Sequence, residues 1–278
     1  MISLSRVFDV NNAFTYTMMI AGVAQAIIAA QLLTSPALAA GKFLGWSTQR
    51  TQYVNSPFPP VRGFARLDIG DHASYAIAFC ATLSGIALAC FALLHIGPSL
   101  PLAITVFFGA ALTFRVPMGR NAADQLLLIT LIALLLGTFD GAAGMSMALA
   151  FIAAQSVLAY FTAGITKCRH RGWYDGSFVR ALLMTETFGQ RGVSTVVKRF
   201  PVIAVPLGSA LLVAEVLFPL IVLVPVQAAL VILCLFLIFH LTLAAIMGLN
   251  TFVFAFGATY PALLFANVSI ASYLPHVF

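Results

Sequence analysis

The chain has 278 residues, of which 62% are apolar and only 8% charged, with Lys+Arg 14 against Asp+Glu 8 and a formal net charge of +6; its mean hydropathy is +1.03. A soluble domain devotes about 25% of its residues to charge, so no water-facing surface can be assembled from this composition, and soluble enzymes and nucleic-acid binders are excluded. The basic excess reads first as orientation, because Lys and Arg collect in the cytoplasmic loops of bilayer proteins.

Residues 1–12 carry Arg6 and Asp9 ahead of an apolar run that begins near Ala13. That run outlasts the roughly 7–15 residues of a signal-peptide core and is read as a first membrane span. A spanning helix needs about 20 mostly apolar residues. By that ruler the chain divides into eight predicted spans, at 13–40, 72–96, 98–114, 123–138, 143–166, 202–224, 226–248 and 250–272. The third and fourth are short, so six spans is the fallback count. The expected fold is an all-α polytopic transmembrane bundle with short interfacial helices, forming a single membrane-embedded domain over 1–278. Cys80, Cys90, Cys168 and Cys234 show no metal-ligand spacing and imply no disulfide framework.

Between the first and second predicted spans, Asp68, Asp71 and His72 offer ligands for a hard cation or, more simply, a charged helix start. Ala21-Gly22 and Gly141-Ala142-Ala143-Gly144 are small-residue patterns that permit close helix approach. Arg115, Arg120 and Asp124 are placed to hold an anionic lipid headgroup or an internal ion pair. The segment 177–189 sets Phe178, Leu182, Leu183 and Phe188 against Arg180, Thr185 and Glu186, a pattern suited to a helix lying on the membrane surface.

With eight spans, 13 of the 14 basic residues fall on one side of the membrane and Arg6 alone on the other. This predicts extracytoplasmic termini and cytoplasmic basic loops in a bacterial inner membrane. Two ionisable residues lie deep within spans, Glu215 in the sixth and His240 in the seventh, and each needs a partner. One reading is hydrogen bonding to a neighbouring helix; the other is a functional site. At 1.5 Å per residue, His240 lies roughly 12 Å and Glu215 roughly 20 Å from the basic side. Lys167 is expected at that interface, so the three would line one vertical cavity without forming a direct triad.

The fifth span ends in Gln155-Ser156-Val157-Leu158-Ala159-Tyr160-Phe161-Thr162-Ala163-Gly164-Ile165-Thr166-Lys167-Cys168, followed by Gly172-Trp173-Tyr174-Asp175-Gly176. Snorkelling Lys167 with belt aromatics Trp173 and Tyr174 would explain this stretch as an interfacial anchor. The spacing also resembles the Tyr-Phe-x-Ala-Gly-x-x-Lys-(x)5-Trp-x-x-Gly motif of the horizontally transferred transmembrane domain (HTTM) family, related to the membrane part of vitamin K-dependent γ-glutamyl carboxylases. Phe239-His240-Leu241-Thr242-Leu243 and Gly248-Leu249-Asn250-Thr251-Phe252 resemble the family's second signature, and Asn121-Ala122-Ala123-Asp124-Gln125 resembles the polar opening of an earlier span. Glu215 falls where the family often has an acidic residue.

The resemblance implies a quinone-accessible cavity in which Lys167 is the catalytic base and His240 an orienting or proton-handling group. Tyr160, Trp173, Glu215 and Asn121 would contact a quinone or hydroquinone. The chain departs from the carboxylases at Thr166-Lys167, where they have Lys-Lys, and at Asn121-Ala122, where they have Asn-His. It also lacks their large extramembrane portion, so Glu carboxylation itself is not expected. The function then reads as a membrane enzyme acting on a lipid-soluble or peptide substrate. The alternative is a non-catalytic accessory or immunity-type subunit of a larger complex. A transporter ranks lower, since no repeated half with matching broken helices is visible. Expected partners are membrane lipids and a membrane-protein or peptide partner, with no nucleic acid. The carboxylases work on the side away from the cytosol, whereas the charge distribution puts Lys167 toward it.

Overall fold

The computed structural model describes residues 7–35, 46, 50–54, 56–57, 59, 62–63, 70, 72–116, 121–185 and 189–273. These residues form helices and the turns that join them, in the order α1 Val10–Leu33, α2 Thr51–Val54, α3 His72–Leu93, α4 Ser99–Arg115, α5 Ala122–Gly137, α6 Gly141–Cys168, α7 Ser177–Leu183, α8 Arg191–Arg199, α9 Ala204–Leu217, α10 Val226–Met247 and α11 Asn250–Tyr273. Short 3-10 turns at Pro201–Ile203 and Phe218–Val222 extend α9 at both ends into one span. Six helices are long and apolar enough to cross a membrane, while α4 and α5, of 17 and 16 residues, are apolar but shorter. The two short ones are the third and fourth predicted spans. The chain is thus an all-α bundle with the architecture of an integral membrane protein. Consistent with this, Leu207, Val213, Leu217, Val231, Leu235 and Ile238 stand on the outside of α9 and α10, where lipid accepts apolar side chains that water would penalise.

The chain falls into two compact units, residues 14–145 and residues 146–278 with the first 13. In the first unit, α3 packs on α4 and α4 on α5. Gly22 and Gly85 face one another so closely that a Cβ on either would strike the other's carbonyl, which confirms the close approach expected of Gly22. Arg115, buried in this unit, donates to Ser74 Oγ at 3.1 Å and the Gly70 carbonyl at 2.6 Å and lies over the Trp46 ring at 4.2 Å. Its guanidinium therefore turns into protein. Asn121 is the N-cap of α5: its Oδ1 accepts from Ala123 N at 2.9 Å and Asp124 N at 3.3 Å, while Asp124 Oδ2 accepts from Asn121 N at 2.8 Å. This reciprocal box satisfies backbone donors left over at a helix start. Asp68, Asp71 and Arg120 lie outside the described residues; His72 opens α3.

In the second unit α10 packs along α11, and α7 packs against the start of α9. Helix α10 ends at Gly248, whose φ of +69° admits a left-handed residue. Gly248 N and Leu249 N return to the carbonyls of Ala244 and Leu243, an αL stop in which glycine avoids a Cβ clash. The glycine of the second signature is therefore a helix stop. Asn267 on α11 donates from Nδ2 to the carbonyls of Ile221 and Val224, each at 2.8 Å, tying down the turn between α9 and α10. The interfacial helix expected over 177–189 stops at Leu183, and residues 186–188 lie outside the described residues. A second short helix, α8, follows it with Val193 and Val197 on one side and Arg191, Lys198 and Arg199 exposed.

Candidate functional site

Along α6, Ser156, Tyr160, Gly164 and Lys167 recur at intervals of four, four and three, which places them on one stripe of the helix. Each meets a different helix of the same unit or a different part of one. Ser156 Oγ is 3.0 Å from Thr259 Oγ1 on α11, and Tyr160 Oη is 2.6 Å from His240 Nε2 on α10. Gly164 lies against α9, where a Cβ would come within 2.8 Å of Val216 N and 3.0 Å of Glu215 Cβ. Lys167 Nζ donates to Glu215 Oε2 at 2.5 Å. The glycine and the lysine of the Ala-Gly-x-x-Lys spacing thus have linked duties: the first removes bulk so that two backbones touch, and the second, one turn later, reaches the carboxylate exposed by that contact.

This geometry corrects the expectation that Lys167 and Glu215 are too far apart in depth to meet. Glu215 is deep, as counted, about 16 Å along α9 from Ala204. The displaced partner is Lys167. After Cys168 the chain continues along α9 toward that helix's start: the Trp173 carbonyl packs on Gly208, and Gly176 packs on Ala204 and Val205. Residues 169–176 cover this last part of the way, so α6 ends short of the level at which α9 begins, and Lys167 is held by a carboxylate of the bundle. Its side chain is 17% exposed and that of Glu215 only 7%.

A lone charge at this depth is costly, and an ion pair with charge-assisted hydrogen bonding offsets much of that cost. Lys167 Nζ also lies 5.2 Å from the centre of the Trp173 ring, whose face attracts the cation. Trp173 in turn lines an apolar cavity of about 560 Å³ bounded by α7, α9 and α10. Thr242 is the other polar residue in its wall. Outside the spans, the Asp175 carboxyl accepts from Ser177 N at 2.9 Å, and that backbone donor holds its pKa below the usual carboxylate value. Tyr174 hydrogen-bonds Cys168 and is thereby raised above its ordinary value.

His240 does not touch the Lys167–Glu215 pair. It is buried on Tyr160 and stacked on Phe256 at 4.9 Å, with Phe239 and Phe252 around it. Tyr160 is enclosed by Phe218, Phe236 and Phe256. One buried polar atom here, His240 Nδ1, has no hydrogen-bond partner among the described residues, and the Tyr260 hydroxyl lies beside Tyr160. Of the residues singled out from sequence, Tyr160, Lys167, Trp173, Glu215 and His240 gather in one unit, and Asn121 caps a helix in the other. Sequence reading passed over Thr259 and Tyr260, which carry no charge to set them apart. It also passed over the stripe of α6, whose four-residue period was legible. No protein-family model, curated protein or solved structure matches this chain.

Proposed function

We propose that the protein is a membrane-embedded enzyme of the HTTM type acting on a lipid-soluble, quinone-like or peptide substrate, with Lys167 as base. The observation that carries this reading is the Lys167–Glu215 bond, set beside Trp173 at the edge of an apolar cavity. A molecule dissolved in the bilayer reaches this corner without crossing water. The Trp173 ring with one cation beside it suits a planar, weakly acidic ring, and a hydroquinone bound there would supply an acidic hydroxyl.

The pair itself supplies the proton acceptor. Movement of one proton along the Nζ–Oε2 bond converts ammonium and carboxylate into amine and carboxylic acid. The amine then takes a proton from the substrate, which gains one negative charge, and the resulting ammonium lies beside that charge and stabilises it. Tyr160 and His240 form a second polar pair beside it, with His240 Nδ1 buried and facing no partner among the described residues. The motifs at 155–176 and 239–252 support the family assignment, and the one-sided distribution of basic residues supports an inner-membrane protein with extracytoplasmic termini.

The test is Lys167→Arg. Arginine keeps the positive charge but does not release its proton, its pKa staying above about 12. Complementation of a deletion strain should fail while the purified variant keeps a wild-type melting curve. Full complementation would return Lys167 to packing and favour the accessory-subunit reading, which draws on the same ion pair and on the Ser156–Thr259 and Asn267 contacts as helix glue.

A further inference from the structure

Helices α9 and α10 are joined by the Phe218–Val222 turn, and the apolar cavity lies between them, lined from Phe218 and Ile221 to Ile246 and Met247. From Ile232 to Met247 along α10 it is about 22 Å long, longer than the roughly 15 Å depth of one leaflet's hydrocarbon. Its walls are hydrocarbon almost throughout, so a long chain is the shape and chemistry that fills it.

The cavity is bordered by the basic segment, since Val179, Leu182 and Leu183 of α7 belong to its wall. Helices α7 and α8 pack there against the start of α9 and its preceding turn. They and their flanks expose Arg169, Arg171, Arg180, Arg191, Lys198 and Arg199. Against these six cations the described residues of the segment offer one carboxylate, Asp175, which feels the charges of Arg171 and Arg180 and leaves the segment strongly positive. Val179 and Leu182 on α7 line the groove while Arg180 between them faces out, so one short helix borders both the hydrocarbon slot and the charge.

We propose that the α9–α10 groove and the basic face of α7 and α8 form one binding site for a phosphate-headed anionic membrane lipid, its hydrocarbon chain in the groove and its phosphate on the arginines. The site rests on charge and shape complementarity alone and holds whether or not Lys167 acts as a base. Arginine suits the role, since its fork of N–H donors grips phosphate in two places. Each cation near the surface adds about 1 kcal/mol of attraction to an anionic head, about fivefold in affinity.

The chain has two tryptophans, Trp46 and Trp173, and Trp173 borders the groove. In a Trp46→Phe background, the protein is placed in nanodiscs of phosphatidylglycerol and phosphatidylcholine at fixed ratio, with the dibrominated, quenching chains on one lipid and then on the other. Labelled phosphatidylglycerol should quench Trp173 with at least about fivefold higher apparent association than labelled phosphatidylcholine. Filling the groove with Ala210→Phe and Ala214→Phe, both positions in its wall, should abolish that preference, and Arg171→Gln with Arg180→Gln should lower it severalfold. Equal quenching by the two lipids overturns the proposal. A preference that survives groove filling overturns it too, since it would show diffuse attraction to the basic face. Should Trp46→Phe not fold, native mass spectrometry of the unaltered chain released from the same nanodiscs decides the question through the ratio of retained lipids, compared with the Ala210→Phe/Ala214→Phe variant.

Discussion

Lys167 and Glu215, 48 residues apart in sequence, share a 2.5 Å hydrogen bond inside the bundle because Gly164 lets α6 lie directly on α9. Removing one partner leaves the other charge buried and uncompensated. Lys167→Met or Glu215→Leu alone should therefore destabilise by about 3 kcal/mol, the lower end for a broken buried pair because Lys167 keeps some exposure. The double variant should recover most of that loss, an apolar pair needing no compensation. Denaturation of all four proteins in one detergent measures the coupling; strictly additive losses would mean that the two charges do not depend on each other.

The close approach itself is testable at Gly164. A methyl group there collides with the α9 backbone and Glu215 Cβ, so Gly164→Ala should cost about 1–3 kcal/mol as overpacking. Gly257 on α11 has open space around its Cβ position, and Gly257→Ala should be neutral or stabilising by up to about 1 kcal/mol through helix propensity. Melting temperatures of the two alanine variants should move apart; equal shifts would show that α6 and α9 are not in contact at this point.

Tyr160 and His240 form a neutral counterpart to the ion pair. Tyr160→Phe removes the hydroxyl and leaves both ring nitrogens of His240 without partners, so a loss of about 1–3 kcal/mol is expected. Tyr160→Phe combined with His240→Phe should be less damaging than the sum, because no buried polar atom is then stranded. A double-mutant cycle by thermal unfolding reads this directly, and a zero coupling energy would remove the hydrogen bond from the account.

Orientation is checked by accessibility. With the free cysteines Cys80, Cys90, Cys168 and Cys234 replaced by serine or alanine, single cysteines at Asn12 and Thr195 report opposite ends. A membrane-impermeant thiol reagent applied to intact cells should label the former and not the latter. The reverse pattern would invert the assignment made from the basic residues.

Membrane class, the eight apolar segments and their approximate limits follow from hydropathy, which is additive along about 20 residues and needs no tertiary information. The depth of Glu215 follows from the same counting. Glycines and polar residues of α6 are visible as a motif, but their duties are not, since a glycine's purpose depends on which backbone arrives opposite it. Gly248 is the exception, because a left-handed helix stop is a local event.

Lys167 shows where linear counting fails. Hydropathy puts the interface at the end of the apolar run, as though every polar residue after it stood in water. The tertiary structure runs residues 169–176 onward along α9 toward its start, with Trp173 on Gly208 and Gly176 on Ala204, and leaves the lysine short of that level, beside Glu215. The chain by itself determined that Glu215 needed a partner, by the cost of a charge in hydrocarbon. Only the packing of α6 on α9 decided that the partner is Lys167, because contact between residues 48 positions apart depends on how helices approach and not on the composition of either.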